Sequence, residues 1–283
     1  MRHDKRAAQN RRFESAVRAA AVFSIAVAFS VAAFIFIGSL PAIKELGLSE
    51  LFGLLWQPQN GRYGITAMLI TSLISGGISA AVAFFISSLG AAWLNNFAPR
   101  AVLPVVKRLC AVLSSVPSII FGLWGLVVLI PVLQRLSPDK TAQSGGASLL
   151  AAIIVLIILQ IPFMLPECIT ALRQAAKFDV VSAALGADEM QTLFLSQFFH
   201  AKWQLSSVLL AGIRRAFCET MAVQFVSGNI VSLPKLFGSV RLLGAGLMLE
   251  MGYAQGVHRS ALFFIGLIML AAALLTELFS KKK

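Results

Sequence analysis

Three charged residues, Arg214, Arg215 and Glu219, interrupt an otherwise apolar stretch of this 283-residue chain. At membrane depth each would cost on the order of several kcal/mol unless paired or hydrated. Arg215 and Glu219 are four residues apart, so on a helix they share a face, and Arg214 is rotated by about 100° from that face. The pattern fits either an internal ion pair that locks the helices together or the polar lining of an anion path. Two guanidinium groups against one carboxylate leave a positive surplus, and the donors of arginine match phosphate or carboxylate oxygens.

Long charge-free runs surround these residues and predict membrane-spanning helices. The chain is 58% hydrophobic and only 13% charged, with a mean hydropathy of +0.83. A span needs about 20 apolar residues, and its backbone must be hydrogen-bonded within the segment. We therefore expect an all-α, polytopic membrane protein with six transmembrane helices. The runs without Asp, Glu, Lys or Arg are Ala19–Ile43, Tyr63–Pro99, Leu109–Gln134 and Thr141–Pro166, and two shorter or interrupted spans are Trp203–Val226 and Ala261–Leu278.

The basic residues predict how the spans are oriented. With six spans, 15 of the 24 Lys and Arg residues fall on the side that holds both termini and 7 on the other side. Because cytoplasmic segments carry the excess of Lys and Arg, both termini are expected in the cytoplasm. The net charge of +12 thus reflects topology and contact with anionic membrane lipid, and no nucleic-acid partner is expected.

Three parts of the chain are expected from this topology. Residues 1–18 form a basic cytoplasmic segment, residues 19–64 form the first transmembrane helix with its outside loop, and residues 65–280 form a core of five transmembrane helices. The first apolar run is too long for a signal peptide, so we interpret it as a retained helix.

Polar or flexible residues mark three places outside the regular spans. Pro117, flanked by serines, predicts either a simple kink or a kink that exposes backbone to a substrate path. The segment 173–202 reads as a helix–turn–helix with Gly186 at the turn, and is either a connecting loop or a docking helix for a cytoplasmic partner. A short re-entrant or interfacial helix is expected near Val240–Met251.

Motifs for enzymatic chemistry are absent from the sequence. It contains no phosphate-binding GxxxxGK[ST] loop, so ATP hydrolysis by this chain is not expected, and it contains no HExxH or GxSxG motif. His3, His200 and His258 are far apart, which argues against a metal site. The three cysteines show no pairing pattern and are interpreted as small packing residues. We expect no catalytic residue, no metal and no cofactor bound by this chain.

Four motifs resemble a known family. The chain resembles the permease subunit of bacterial phosphate ABC importers, and more closely the first of the two related permeases of these importers. The resemblance covers about residues 56–230. Its motifs are Trp56-Gln57-Pro58 with Tyr63-Gly64, Val116 to Leu126 (VPSIIFGLWGL), Ala184-Leu185-Gly186-Ala187 with Gln191-Thr192, and Arg215 to Val223 (RAFCETMAV) with Gly228-Asn229.

The resemblance implies the type I permease fold of ABC importers and a subunit that moves inorganic phosphate across the bacterial cytoplasmic membrane by alternating access. Implied partners are a homologous second permease, two cytoplasmic subunits that bind and hydrolyse ATP, and a soluble phosphate-binding protein. A coupling helix near residues 180–200 would contact the ATPase. The coupling residues would be Ala184, Leu185, Gly186, Ala187 and Gln191, and the substrate path would include Arg215, Glu219, Thr220, Pro117, Ser118 and Asn229.

The sequence departs from the family pattern at three places. The Glu-Ala-Ala that usually opens the coupling motif is replaced by Val180, Val181 and Ser182, and the usual Leu-Pro after it by Phe198-Phe199. Cys218 replaces a glycine before Glu219, and Arg214 stands where a small residue is usual. The first two departures bear on coupling to the ATPase, and the third on the width of the path and the choice of anion.

Alternative functions therefore stay open at this point. A permease for another oxyanion, such as sulfate or molybdate, is disfavoured by the Pro117 and Glu219 motifs. The altered coupling segment supports a membrane protein that senses phosphate without transporting it. A secondary transporter is less well supported, because no inverted repeat or buried chain of acids is present to carry a coupling ion.

Overall fold

Helices account for nearly all of the regular structure. The computed structural model describes residues 2–136 and 145–280. The start of the expected span Thr141–Pro166 and the basic residues 281–283 therefore lie outside the described residues. The helices are α1 (Arg2–Leu51), α2 (Thr66–Asn96), α3 (Val102–Ser115), α4 (Ser118–Trp124), α5 (Ile130–Leu136), α6 (Leu149–Ala175), α7 (Asp179–Ala184), α8 (Glu189–Gln191), α9 (Phe199–Phe217), α10 (Met221–Val226), α11 (Leu243–Glu250) and α12 (Gly256–Ser280). Two π-helical segments, Gly125–Leu129 and Thr192–Phe198, join α4 to α5 and α8 to α9.

Within the part of the chain that is described, five segments are long and apolar enough to cross a membrane. Each is a single helix or a helix continued by its neighbours. They confirm the all-α, polytopic membrane fold. The expected span Trp203–Val226 is not among them, because it contains three charged residues and is broken between Phe217 and Met221. The segment that the sequence indicates as shorter or interrupted is thus broken, beside five spans that are long and apolar enough to cross a membrane among the described residues. The five are Phe13–Leu51, Thr66–Asn96, Ser118–Leu136, Leu149–Ser182 and Gly256–Phe279.

The expected span Leu109–Gln134 is also divided. α3 ends at Ser115, Val116 is extended, and α4 begins at Ser118. Proline has no N–H to donate, and its ring drives the preceding residue out of the helical region, so the chain cannot continue as one helix through Pro117. Irregular backbone at membrane depth is tolerated where it lies in protein or lines a water-filled cavity. We therefore expect the break to face protein or water rather than lipid.

The centre of the bundle is the packing of α6 and α9 against α2. The face of α2 in this contact is made of buried alanine, glycine and serine residues, which let the helix backbones approach closely. Gly76 lies against α9, where a Cβ atom would be 3.3 Å from the backbone nitrogen of Phe217. Gln160 of α6 donates a hydrogen bond to the hydroxyl of Ser79 at 3.1 Å. The small side chains of α2 thus fix the distance between the helices that carry the candidate site.

The two ends of the bundle have different structures. At one end, which we call the hairpin end, strands β1 (Trp56–Gln57) and β2 (Arg62–Tyr63) pair antiparallel. At the other, which we call the Gly186 end, α7 and α8 form the expected helix–turn–helix around Gly186. The short helix expected near Val240–Met251 is confirmed as α11. It lies at the hairpin end.

Helices α4 and α10 each follow a break and run side by side. A Cβ atom on Gly122 of α4 would lie 2.7 Å from the carbonyl oxygen of Ala222 in α10 and 2.9 Å from its Cα atom. One turn further along both helices, Gly125 lies against Val226. Because the contacts advance in the same direction along both chains, the helices are parallel, and glycine is required where their backbones meet.

Gly122→Ala is expected to lower the melting temperature of the purified protein, with a loss of about 1–3 kcal/mol of stability, because the new methyl group meets backbone atoms that cannot turn aside. Gly77→Ala in α2 is the matched control, since a Cβ atom there has nothing within 4 Å. Thermal unfolding in detergent measures both. Equal melting temperatures for the two variants would contradict the close α4–α10 contact.

Candidate functional site

Arg215 lies near the C-terminal end of α9 and faces α6. Its guanidinium carbon is 4.8 Å from the centre of the Phe163 ring, a cation–π contact. Arg215 is half-buried, and within the described residues it forms no ion pair or hydrogen bond through its side chain. The ring holds the guanidinium in place without using its N–H groups, so these donors are available to an anion.

Glu219 does not pair with Arg215. α9 ends at Phe217, and Glu219 lies in the gap before α10, where its Oε1 accepts a hydrogen bond from the backbone N–H of Ala222 at 3.2 Å. The prediction that Arg215 and Glu219 share a helical face is therefore wrong, because the helix that would align them ends between them. Glu219 instead stabilises the first turn of α10, where orphan N–H groups need acceptors.

Arg214 has an ion-pair partner that the sequence does not indicate. Its guanidinium forms an ion pair with Glu277 of α12. This pair links α9 to α12, and both side chains are partly exposed. The bundle thus contains an ion pair that locks helices together, but between Arg214 and Glu277 rather than between Arg215 and Glu219.

A row of side chains on α6 continues from Phe163 towards the Gly186 end. Phe163, Glu167, Thr170 and Gln174 follow one another at intervals of four, three and four residues, so they lie on one face of the helix. Glu167, Thr170 and Gln174 are exposed. The sequence analysis does not predict this row, because the charge-free run ends at Pro166 and Glu167 lies just beyond it. The spacing of polar residues along a helix was the available indication.

The facing row on α9 is made of Gln204, Ser207, Ala211 and Arg215. Apart from Arg215, the two rows line a cavity of about 330 Å³, which extends from Phe163 towards the Gly186 end. At that end the Nε2 of Gln204 donates to the Oε1 of Gln174 at 3.1 Å and joins the two helices. We call this cavity and the Arg215–Phe163 pair beside it the α6–α9 groove.

The breaks around Pro117 and Glu219 precede the neighbouring helices α4 and α10. Pro117 precedes the first turn of α4, with Ser118 as its first residue, and Thr220 precedes the first turn of α10. Since α4 and α10 are parallel neighbours, the structure brings these predicted path residues together. Gly244 of α11 fits directly against this region, because a Cβ atom there would be 2.7 Å from the carbonyl oxygen of Glu219.

Asn229, the last predicted path residue, lies at the hairpin end. It adopts a left-handed backbone conformation with φ of 58°, and its carbonyl oxygen accepts a hydrogen bond from Arg241 Nε at 2.8 Å. Arg241 also donates to Glu250 at 2.5 Å, and the Trp56 indole donates to the same carboxylate at 2.9 Å. These groups, with His258, line a cavity of about 770 Å³. The Trp56 motif thus serves to seat the hairpin on α11.

The predicted coupling residues form a compact turn at the Gly186 end. Gly186 has φ of 84°, a conformation that glycine adopts without strain. The next helix begins with a reciprocal cap: Asp188 Oδ1 accepts from the Gln191 N–H at 2.7 Å, and Gln191 Oε1 accepts from the Asp188 N–H at 3.1 Å. Ala184 and Leu185 are exposed, and Ala187 is half-buried. The turn is therefore fixed by its own residues and presents Leu185 outward.

A buried amide connects this turn to α2. Gln197, 2% exposed, donates to Asp179 Oδ2 at 2.7 Å and to Asn96 Oδ1 at 2.9 Å. Asn96 donates back to Gln197 Oε1 at 3.2 Å. These hydrogen bonds connect the segment that follows the Gly186 turn to the end of α2.

The residues that depart from the family pattern occupy two settings. Val180 and Val181 are exposed and extend the apolar surface beside Leu185. Phe198 stacks on Phe194, and Phe199 lies under the Lys202 ammonium, 3.8 Å from the ring centre. The substitutions therefore make the surface around Gly186 more apolar without removing the turn.

The fold matches solved structures of ABC transporter membrane subunits. Two structures of the MetNI methionine ABC transporter in inward-facing conformations align with this chain, one with a TM-score of 0.60 over 81% of this chain and 97% of that chain, at 17% identity. The other has a TM-score of 0.53 and 19% identity, over 77% and 93% of the two chains. The chain therefore has the fold of a type I ABC importer permease.

Curated relatives extend the similarity to the sequence. The chain is 29% identical to the phosphate transport system permease protein PstC of Haemophilus influenzae, over 92% of this chain and 89% of that protein. It is 28% identical to PstC of Pasteurella multocida, over 91% and 86%, and 29% identical to the probable ABC transporter permease protein YqgH of Bacillus subtilis, over 92% and 85%. The chain matches no protein-family model. These relatives confirm the resemblance to phosphate importer permeases, and the chain is a multi-pass membrane protein with the fold of such permeases.

Proposed function

We propose that this chain is the transmembrane permease subunit of an ATP-driven importer for inorganic phosphate. The observation that carries the proposal is the similarity to phosphate permeases along about nine-tenths of the chain. The Arg215 guanidinium supports it, because it is held by Phe163 with its donors free and its planar fork suits the oxygens of phosphate.

The distribution of basic residues supports the orientation of the bundle. The Gly186 end and both termini lie on the side with the excess of Lys and Arg, which is the cytoplasmic side, and the hairpin end lies outside. In this orientation α6 runs from outside to inside and α9 returns. The α6–α9 groove is then the cytoplasmic half of the path, and the cavity beside Asn229 and Arg241 is the outer half.

The polar groups of the groove indicate which surface meets the second permease. Glu167, Thr170 and Gln174 are exposed on an apolar membrane helix, where contact with lipid would be costly. This face is therefore covered by water and by a homologous permease. Phosphate released by a soluble binding protein at the hairpin end would enter between the two permeases and meet Arg215.

Energy would come from two cytoplasmic ATPase subunits seated on the Gly186 turn. ATP would bind to those subunits and not to this chain. Closure of the ATPase pair would move the turn, and the Gln197–Asn96 hydrogen bonds would carry the movement to α2. The permease pair would then open alternately to the two sides of the membrane.

The experiment is ATP-dependent uptake of radiolabelled phosphate into proteoliposomes that contain this chain, its partner permease, the ATPase and the binding protein. Uptake that arsenate competes and sulfate does not would support a phosphate importer. Uptake of sulfate or molybdate instead would identify a different oxyanion permease.

One observation supports a second candidate function. The exposed Val180 and Val181 replace the usual acidic start of the coupling motif, which fits a phosphate-sensing membrane protein without transport. Co-purification of an ATPase subunit with this chain, together with uptake, would exclude that alternative, and an assembled complex without ATPase would favour it.

A further inference from the structure

Glu167 is a carboxylate within the proposed anion path. It follows Phe163 by about one helical turn. In the proposed orientation its Cα atom therefore lies about 6 Å nearer the cytoplasm than the Cα atom of Phe163, whose ring supports Arg215. Its side chain is exposed, lines the 330 Å³ cavity and has no ion pair or hydrogen bond with the described residues. In the proposed orientation, an anion that leaves Arg215 for the cytoplasm enters the part of the α6–α9 groove that this side chain lines.

The surroundings of Glu167 are polar and mostly neutral. Thr170, Gln174, Gln204 and Ser207 line the same cavity and can donate or accept hydrogen bonds. The exposed carboxylate is therefore open to water and to hydrogen bonds from amide and hydroxyl groups. None of the described residues that line the cavity carries a positive charge, and Arg215 is not among them.

An ionised carboxylate can only accept hydrogen bonds. It therefore attracts an oxyanion that still carries a proton and repels one that does not. Inorganic phosphate retains at least one P–OH group at neutral pH, whereas sulfate is fully ionised. A binding site can gain specificity from such a repulsive element as well as from its attractive contacts.

We propose that Glu167 is a specificity-determining residue of the path, whose carboxylate accepts a hydrogen bond from the P–OH group of phosphate and repels sulfate. This role rests on the proposed function and names the feature of phosphate that the permease reads. Arg215 supplies attraction for any oxyanion, and Glu167 selects the protonated one.

The test uses the permease pair with its ATPase subunits in nanodiscs, without ATP and without the binding protein, so that the binding protein's own selectivity does not contribute. Binding of radiolabelled phosphate is measured, together with its displacement by unlabelled phosphate or sulfate. In the wild-type complex sulfate is expected to compete about tenfold to a hundredfold less well than phosphate, as a hydrogen bond to a charged group would produce. Glu167→Gln is expected to bring the two anions close to equal, and Glu167→Asp to preserve the preference.

Glu45→Gln is the matched control, since Glu45 is exposed on α1 and does not line the cavity; it should leave the preference unchanged. An unchanged preference in Glu167→Gln would overturn the proposal, and so would a wild-type complex that does not prefer phosphate. Loss of permease pairing in Glu167→Gln would also overturn it, because Glu167 would then bind a cation of the partner. Phosphate uptake into proteoliposomes is measured with the same wild-type complex: uptake with a failed Glu167 test removes only this inference, and absent uptake removes the proposed function.

Discussion

Arg215→Gln is expected to abolish phosphate uptake while the complex still assembles. The guanidinium lies on Phe163 with no bonded partner among the described residues, so its loss leaves no buried charge unpaired in this chain. A bidentate contact to an oxyanion contains two charge-assisted hydrogen bonds of about 1.5–3 kcal/mol each, so the rate of uptake should fall by more than about a hundredfold. The measurement is phosphate uptake per assembled complex in proteoliposomes.

Two further variants separate binding from packing. Arg215→Lys keeps the charge but not the planar fork, and uptake is expected between that of wild type and Arg215→Gln. Arg214→Gln removes the ion pair with Glu277 and should lower the yield of assembled complex, with uptake per complex retained. Normal uptake by Arg215→Gln would refute the role of this arginine in the path.

The spans of α2 and α6 were predictable from the length of their charge-free runs. The runs that contain α2 and α6 appear in the structure as helices of 31 and 27 residues. The Gly186 turn was also predictable, because glycine at the turn and Asp188 with Gln191 three residues later are local signals that do not depend on tertiary packing. Local chemistry and hydrophobic length therefore account for most of the fold.

The helix break at Cys218 was not predictable from local sequence. No glycine or proline lies between Phe217 and Met221 to end the helix. The break coincides with the close approach of Gly244 to Glu219, a contact with a segment about 25 residues further along the chain. Residues i and i+4 share a face only within an unbroken helix. The break therefore removes the predicted shared face of Arg215 and Glu219.

The partner of Arg214 and the role of Phe163 were hidden for a related reason. Glu277 is 63 residues from Arg214 in sequence, and an aromatic residue in an apolar helix gives no sign that it supports a cation. Such pairs depend on which helices are neighbours, which periodicity within one helix does not specify. The sequence therefore indicated Arg215 as a candidate residue of the path, whereas its contact with Phe163 and the position of Glu167 are apparent only from the structure.

Leu185→Asp is expected to release the ATPase subunits while the two permeases remain paired. Leu185 is 83% exposed, and the turn that presents it is held by the Gly186 conformation and by the Asp188–Gln191 cap, so the substitution should not disturb the local fold. A central apolar contact in an interface contributes about 2 kcal/mol or more, and a buried carboxylate adds a desolvation cost. Co-purification of the ATPase and phosphate uptake should both fall to background.

Leu54→Asp is the matched control, because Leu54 is also an exposed leucine, 53% exposed, but lies at the hairpin end. It should leave ATPase binding unchanged. ATPase that stays bound to Leu185→Asp in wild-type amount would show that the Gly186 turn is not the docking surface. The distinction matters for this chain, because Val180 and Val181 replace the acidic start of the family's motif. If the turn docks the ATPase, an apolar groove must receive these valines, and changing them to Glu and Ala should weaken the same contact.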